Sequence, residues 1–239
     1  MMLLPAQTLS GVNRIHHTNA LRLLSSMATE SVDLVVTDPP YGCGTQVSAR
    51  RKPDERFNEI VGAEEIDASW IPDTHRVLKT GGAAYVFAKW VNMGEWKSLL
   101  ESAGFTVRNC IIWDKLQHGT GDLEGDYAPQ YEMILYATKG RHKLRGKRIP
   151  NIIRYPKVQP QKLKHPYEKP TGLLEQLIRK SSDTGDLVFD PFAGSGATLR
   201  AAQQAGRRFV GSELEAEYTE LVRKSLSLDY VMPMFSEVA

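Results

Sequence analysis

The sequence predicts an α/β fold built around a mostly parallel sheet. Short apolar segments alternate with amphipathic ones along the 239 residues, and turn residues separate them. Residues 32–37 form a strongly apolar run that ends abruptly at Asp38, which is typical of a buried parallel strand. A glycine-rich turn at 190–198 follows another strand and opens a helix, the arrangement by which parallel sheets often bind ligands.

The first half of the chain alternates predicted strands and helices. In order, these are a strand at 14–17, a helix at 20–26, the strand at 32–37, a helix at 63–78, a strand at 83–87 and a helix at 91–103. Gly81-Gly82 closes the longer helix and Gly104 the next, because glycine readily adopts the left-handed conformation at a helix end. Residues 42–58 show no apolar period, and a loop of this length inside a domain is usually functional or mobile.

The second half continues the pattern around a basic stretch. Its predicted elements are strands at 105–113 and 131–137, a helix at 173–181, a strand at 187–189, a helix that ends near 205, a strand at 208–211 and a helix at 216–226. No internal repeat interrupts this series. We therefore expect a single domain over residues 1–239.

Composition excludes several classes of protein. Hydrophobic residues make up 41% and charged residues 24% of the chain, the balance of a globular domain and not of a disordered one. The apolar runs are too short to cross a bilayer, and no secretory signal is readable at the N-terminus. Cys43 and Cys110 are too few for a disulfide framework, and the histidines show no ligand spacing, so we assign no metal. We expect a cytoplasmic protein.

Positive charge is concentrated in one stretch. Residues 139–169 contain eleven Lys and Arg against one acid, Glu168, which leaves a net charge of −8 on the rest of the chain. Such segregation indicates a surface that binds a polyanion, and a solvated basic loop is the alternative. Five of the cations alternate, so that an extended backbone would point all of them to one side. They are Lys139, Arg141, Lys143, Arg145 and Lys147.

The glycine-rich turn carries the first chemical signal. Its backbone can approach a ligand closely at the N-terminus of a helix, because glycine has no side chain in the way. Glu213 stands at the end of the next strand, 17 residues beyond Gly196, where a carboxylate can bind a ribose diol. The third glycine of the dinucleotide fingerprint and the Lys of a phosphate loop are both missing. The pattern therefore favours a cofactor that contains an adenosine but no phosphate.

The second signal is the tetrapeptide Asp38-Pro39-Pro40-Tyr41, which follows the strand at 32–37. The carboxyl end of such a strand is where open α/β sheets place their ligands. The prolines fix an extended backbone, so the tetrapeptide presents a carboxylate, a rigid carbonyl and an aromatic face. This set suits a planar amine, since it offers two acceptors for the amine hydrogens and a ring to stack on. A turn with a packing tyrosine is the alternative.

Together these motifs resemble those of S-adenosylmethionine-dependent DNA amino-methyltransferases. The segments that carry the resemblance are 38–41, 165–170 and 192–196, and it extends to 111–115 and 131–136. The tetrapeptide precedes the glycine-rich turn with a basic segment between them, which is the order of the circularly permuted beta class. The resemblance implies a Rossmann-like methyltransferase fold, whose seven-stranded, mostly parallel sheet has one antiparallel strand.

The resemblance also implies roles for individual residues. Those expected to hold S-adenosylmethionine are Asn19, Asp38, Lys169, Thr171, Asp190, Phe192, Ala193, Gly194, Ser195, Gly196 and Glu213. Those expected to carry catalysis are Asp38, Pro39, Pro40 and Tyr41. Those expected to contact DNA are Arg50, Arg51, Lys52, Arg141, Lys143 and Arg145, the last three in a target-recognition segment at about 139–164. This segment is short, which leaves room for a second copy of the chain, in a homodimer, to contribute.

The implied reaction is methyl transfer to the exocyclic amine of a base flipped out of double-stranded DNA. Asp and not Ser at position 38 favours N6 of adenine, and N4 of cytosine is the alternative. An RNA or protein amide methyltransferase would share the fold with a related tetrapeptide. A non-catalytic DNA-binding module would explain the basic stretch but not the tetrapeptide. The resemblance also implies that the protein belongs to a restriction-modification system.

Overall fold

The computed structural model describes residues 12–40, 66–119, 124–163, 165 and 168–228, which form an α/β fold. The strands are β1 (Arg14–His17), β2 (Val32–Thr37), β3 (Leu78–Ala88), β4 (Thr106–Asp114), β5 (Tyr131–Thr138), β6 (Ile152–Arg154), β7 (Leu187–Asp190) and β8 (Arg208–Glu213). The helices are α1 (Ala20–Ser26), α2 (Trp70–Val77), α3 (Met93–Ser102), α4 (Thr171–Ser181), α5 (Ala197–Gln204) and α6 (Ala216–Leu228). None of these helices is long and apolar enough to cross a membrane.

The strands form one sheet in the order β1-β8-β7-β2-β3-β5-β4-β6. Among the described strands only β5 runs antiparallel to its neighbours, which confirms a mostly parallel sheet with one antiparallel strand. Within the described residues the sheet has eight strands where seven were expected, because Ile152–Arg154 adds a short edge strand beside β4. The parallel strands end at one edge of the sheet, here called the carboxyl edge, and the opposite edge is called the amino edge.

Helices cover both faces of the sheet. α4, α5 and α6 pack on one face through buried side chains such as Leu177 and Leu199. α1, α2 and α3 pack on the other face, where Trp70 and Trp96 are fully buried. Successive residues of β2 point into the two cores in turn, so this strand is buried on both faces and needs the apolar sequence that it has.

Several predicted boundaries differ from the structure. Residues 66–69, which were expected in the helix at 63–78, are not helical, and α2 begins only at Trp70. The glycine pair at 81–82 lies inside β3, because α2 already ends at Val77 and β3 begins at Leu78. The register of β3 against β2 shifts at this point, and Gly81 has a φ of 87°, so glycine here lets the strand bend. α4 begins at Thr171, two residues earlier than expected, immediately after Pro170.

Candidate active site

The carboxyl edge brings together three acidic residues at strand ends. Asp38 follows β2, Asp190 ends β7 and Glu213 ends β8, and these three strands are neighbours in the order β8-β7-β2. Thr37 Oγ1 donates a hydrogen bond of 2.9 Å to Asp190 Oδ1, which ties the end of β2 to β7. Asp38 and the glycine-rich turn, which lie far apart in the sequence, are therefore adjacent in the fold.

Asp38 lies in a cluster of charged side chains, with its own side chain 20% exposed. Its carboxylate accepts a hydrogen bond from Lys169, and Lys169 Nζ lies 3.4 Å from Glu132 Oε2. Burial raises the pKa of Asp38 to about 6, against the opposing attraction of Lys169. The carboxylate is therefore ionised at neutral pH and can accept hydrogen bonds from an amine.

The glycine-rich turn has a backbone that favours glycine. Gly194 and Gly196 have φ values of 49° and 77°, in the left-handed region. A Cβ on Gly196 would lie 2.6 Å from Cγ1 of Val222 on α6. Ala193 N donates a hydrogen bond of 2.9 Å to the Ser212 carbonyl, which fixes the turn beside β8. The turn thus leads into the N-terminus of α5 with room only for backbone, as a close-approach turn requires.

Glu213 is oriented by backbone amides. Its Oε2 accepts a hydrogen bond of 2.8 Å from Gly194 N, and its Oε1 accepts one of 2.9 Å from Glu215 N. Burial raises the pKa of Glu213, which marks a carboxylate partly withdrawn from water. Each carboxylate oxygen has a second lone pair, so the group can still accept hydrogen bonds from a ribose diol.

Buried charges anchor the segment that returns from the basic stretch to the site. Lys169 is 7% exposed, and its ammonium is directed at Asp38. Glu168 and Arg200 of α5 form an ion pair of 2.9 Å, with each side chain 8% exposed. Arg200 also donates a hydrogen bond of 2.6 Å to the Ser195 carbonyl. The segment is thereby fixed both to Asp38 and to the glycine-rich turn.

Sequence reasoning missed four charged residues of this site, and two of them left a signal. Glu132 stands near the start of the otherwise apolar strand β5, and its Oε1 lies 2.8 Å from Lys115 Nζ. Arg200 lies among the buried residues of α5. Charged side chains at such positions need a partner, which is the signal that could have identified them. Glu168 and Lys115 left no comparable pattern.

Other predicted cofactor residues have local structural roles. Asn19 follows β1, and its Oδ1 accepts a hydrogen bond of 2.8 Å from Leu21 N as the N-cap of α1, so an adenine amine would have to share this oxygen. Thr171 is the first residue of α4. The Phe192 ring meets Trp70 edge-on with a centroid distance of 5.4 Å.

Of the tetrapeptide, the structure describes three residues. Pro39 is buried and Pro40 is half-buried beside Asp38. Tyr41 and the three cations at 50–52 lie outside the described residues, so their expected roles stay predictions.

The first part of the basic stretch lies at the amino edge, away from Asp38. Because β5 is antiparallel to β3, its last residue, Thr138, pairs with Ala83, the first residue of β3 that pairs with β5. Residues 139–147 continue from that point. Lys139 donates hydrogen bonds of 3.0 and 2.8 Å to the carbonyls of His75 and Leu78. Arg145 forms an ion pair of 2.9 Å with Asp183, beyond the end of α4.

The five alternating cations are therefore not all available to a polyanion. Residues 139–147 are not a strand beyond Thr138, and Lys139 and Arg145 are used in contacts within the protein. Arg141 and Lys143 are exposed, but at the edge opposite to the site. The three cations predicted to contact DNA in this segment thus lie at the opposite end of the strands from Asp38.

The later part of the basic stretch crosses the carboxyl edge. β6 runs parallel to β4 and brings Arg154 level with Asp114. Arg154 Nε lies 3.5 Å from Asp114 Oδ2, and the Arg154 side chain is nevertheless 76% exposed. Lys162 is exposed in the turn that follows. Trp90, just after β3, and Tyr131, at the start of β5, are 69% and 43% exposed at the same edge. The part of this edge over β3–β6 therefore presents cations and rings to solvent, and the part over β7 and β8 carries the glycine-rich turn.

Comparison with known proteins identifies the family. The model of the N6/N4 DNA methylases matches residues 32–224. The chain is 31% identical over 238 residues to the type II methyltransferase M2.DpnII of Streptococcus pneumoniae, with 89% of each protein covered. It is 29% identical to the DNA adenine methyltransferase YhdJ of Escherichia coli K12, over 90% of this chain and 82% of that protein. The chain belongs to the N6/N4 family of DNA methylases.

A solved structure supports the fold assignment. The M1.HpyAVI–SAM complex matches with a TM-score of 0.66 and 25% identity, over 89% of this chain and 98% of that chain. The resemblance drawn from the motifs and the Rossmann-like methyltransferase fold are both confirmed.

Proposed function

We propose that this protein transfers a methyl group from S-adenosylmethionine to N6 of an adenine flipped out of double-stranded DNA. The observation that carries the proposal is the position of Asp38. It stands at the carboxyl edge between the glycine-rich turn, over β7 and β8, and the exposed cations and rings over β3–β6. A carboxylate in that place faces a cofactor on one side and a nucleic acid on the other.

The described residues fit the proposed cofactor. Gly194 and Gly196 bring the backbone close to a ligand without strain, and Glu213 offers a carboxylate for the ribose. S-adenosylmethionine, when bound, supplies a methyl group that its sulfonium makes electrophilic. A SAM complex of the similar protein M1.HpyAVI supports this choice.

Asp38 acts on the target amine in this proposal. Its carboxylate accepts a hydrogen of the amine, and the Pro39 carbonyl accepts the other, so the nitrogen lone pair is drawn out of ring conjugation. Positive charge develops on the nitrogen as the methyl group arrives, and the carboxylate stabilises that charge in the transition state more than in the ground state. Tyr41 stacks on the extruded base. The bond from the methyl carbon to sulfur breaks as the bond to nitrogen forms, S-adenosylhomocysteine is the leaving group, and the methylated amine loses one proton to water. No covalent intermediate on the protein is needed.

DNA lies across the carboxyl edge in this proposal. A base can reach Asp38 only if the duplex lies over that edge, where Arg154 and Lys162 are exposed. We therefore assign phosphate contacts to these two residues in place of Arg141, Lys143 and Arg145. A cytoplasmic location and a homodimer that completes the DNA-binding surface stay predictions from the sequence.

The product identifies the target base. Purified protein is incubated with S-adenosylmethionine carrying an isotopic label in its methyl group and with unmodified duplex DNA, and the digested nucleosides are separated by mass. We expect the label in N6-methyldeoxyadenosine. Labelled N4-methyldeoxycytidine would transfer the assignment to cytosine, the other base that the family name covers. Parallel incubations offer the same labelled donor to RNA and to protein, and label there but not in DNA would overturn the proposal.

A further inference from the structure

Behind Asp38 lies a row of three further charged side chains, Lys169, Glu132 and Lys115. We propose that Glu132 is a positioning residue, which acts through Lys169 to orient the Asp38 carboxylate toward the target amine and to balance the ammonium charge beside it. This inference rests on the proposed role of Asp38. It adds a residue that contacts Lys169 and does not touch the reacting atoms.

The geometry links the four charges in sequence. Lys169 donates a hydrogen bond to Asp38 Oδ2, and its Nζ lies 3.4 Å from Glu132 Oε2. Glu132 Oε1 lies 2.8 Å from Lys115 Nζ. The Lys169 ammonium also lies 5.1 Å from the centroid of the Phe87 ring. The row thus joins the end of β2 to β5, to the end of β4 and to the residue pair before α4, all at the carboxyl edge.

Burial makes these charges interact strongly. Side-chain exposure is 7% for Lys169, 20% for Asp38, 26% for Glu132 and 20% for Lys115. Burial alone would raise the pKa of Glu132, but the ammonium groups of Lys169 and Lys115 hold it below its ordinary value. The pKa of Lys169, which burial alone would lower, is raised by Asp38 and Glu132. Glu132 and Lys169 are therefore both charged when Asp38 is ionised.

The charge of Lys169 explains why Glu132 is needed. An ammonium next to Asp38 opposes the positive charge that develops on the amine, because like charges repel strongly where water is largely excluded. Glu132, on the other side of Lys169, offsets this repulsion. It also places a second carboxylate oxygen 3.4 Å from the ammonium, so that Lys169 lies between two acids and is held at a fixed position beside Asp38.

The pH dependence of the reaction follows from the groups that face Asp38. These come from four elements and are Lys89, Glu132, Lys169 and Asp190. The negative charge of Glu132 raises the pKa of Asp38, whereas Lys169 and Lys89 lower it. Removing the charge of Glu132 therefore lowers the pKa of Asp38, and the acid limb of kcat/KM moves to lower pH.

The test compares Glu132→Gln, Glu132→Asp and the wild type on one duplex. For Glu132→Gln we expect a fall in kcat of roughly 10- to 100-fold with little change in KM for DNA, because Glu132 orients Asp38 without touching substrate. We also expect an acid limb at lower pH and unchanged S-adenosylmethionine binding by calorimetry. Glu132→Asp keeps the charge and should keep the acid limb of the wild type. Glu101→Gln is the matched control, an exposed ion-paired Glu on α3.

Each outcome is decisive. An acid limb that stays in place in Glu132→Gln, even with a lower rate, would show a merely structural role and overturn the inference. If Glu132→Gln does not fold, Glu132→Met, an uncharged side chain of similar length, tests the same contact, since its acid limb should also move to lower pH, and an unmoved limb would again refute the inference. Full activity of Asp38→Ala would instead overturn the proposed function, independently of Glu132.

Discussion

Alanine at Gly196 should damage the glycine-rich turn by two separable effects. Gly196 has a φ of 77°, which a side chain tolerates poorly. An alanine Cβ would also lie 2.6 and 2.7 Å from the two γ-carbons of Val222, which is fully buried on α6. Because Val222 is β-branched and enclosed, it cannot rotate away from the added methyl group without cost.

The magnitude can be worked from these two effects. A left-handed backbone costs an L-residue about 1–2 kcal/mol. Forcing a methyl group into a packed core costs about 1–3 kcal/mol. Gly196→Ala should therefore lower the free energy of unfolding by about 2–5 kcal/mol, a large part of the stability of an ordinary domain. Gly185 is the matched control, because its φ is 86° and a Cβ there would meet no atom within 4 Å. Gly185→Ala should show the backbone cost alone.

Equilibrium unfolding in urea measures both variants, and calorimetry measures their affinity for S-adenosylmethionine. We expect Gly196→Ala to lose more stability than Gly185→Ala and to bind the cofactor much more weakly, with normal binding in Gly185→Ala. A double-mutant cycle with Val222→Ala should show a coupling energy of about 0.5–3 kcal/mol, since the two side chains would be in contact. Equal losses for the two glycine variants, or no coupling, would refute the reasoning.

Two further predictions follow from the edges of the sheet and from the buried carboxylates. Replacing Arg154 and Lys162 together by Gln should weaken DNA binding and reduce the slope of log affinity against log salt by up to about 1.8. The same change at Arg141 and Lys143 should leave the affinity and the slope unchanged. The opposite pattern in a salt titration would place DNA at the amino edge. Burial raises the pKa of Asp190 from 3.8 to about 6. The contribution of this carboxyl group to stability is therefore lost as pH rises from about 4 through about 6. Relative to the wild type, Asp190→Asn should gain about 2–3 kcal/mol in free energy of unfolding between about pH 4 and pH 7, measured by urea unfolding. A stability difference that does not change with pH would contradict this.

The sequence predicts the residues of the carboxyl edge over β2, β7 and β8 well, because the patterns that indicate them are local. The apolar run at 32–37 fixes a buried strand, and Asp38 must then lie at the end of that strand. The positive φ values of Gly194 and Gly196 agree with a turn that the glycines themselves indicate. The position of Glu213 follows as soon as the end of β8 is known, because Glu213 is the last residue of that strand. In each case a short segment determines both its own conformation and the place of its functional group.

The rest depends on which strands are neighbours and in which direction they run. The alternating cations at 139–147 suggest a surface that binds a polyanion, but β5, being antiparallel, ends at Thr138 and leads them to the amino edge. Gly81-Gly82 is typical of a helix end, yet the pair lies within β3 because the register shifts there. The contact of Glu132 with Lys169 exists only because β5 and the segment before α4 meet beside β2. No local pattern contains that information.

The central claim is that Asp38 accepts a hydrogen bond from the target amine, whereas the affinity for the cofactor comes mainly from the glycine-rich turn and Glu213. The most direct measurement is methyl transfer and S-adenosylmethionine affinity on the same preparation of Asp38→Ala. Loss of an acceptor for the developing charge should lower kcat by at least about 100-fold, which corresponds to about 3 kcal/mol in the transition state. Cofactor affinity should stay within a few-fold of the wild type, because the glycine-rich turn and Glu213 are intact. Methyl transfer within about tenfold of the wild type on the cognate duplex would contradict the claim.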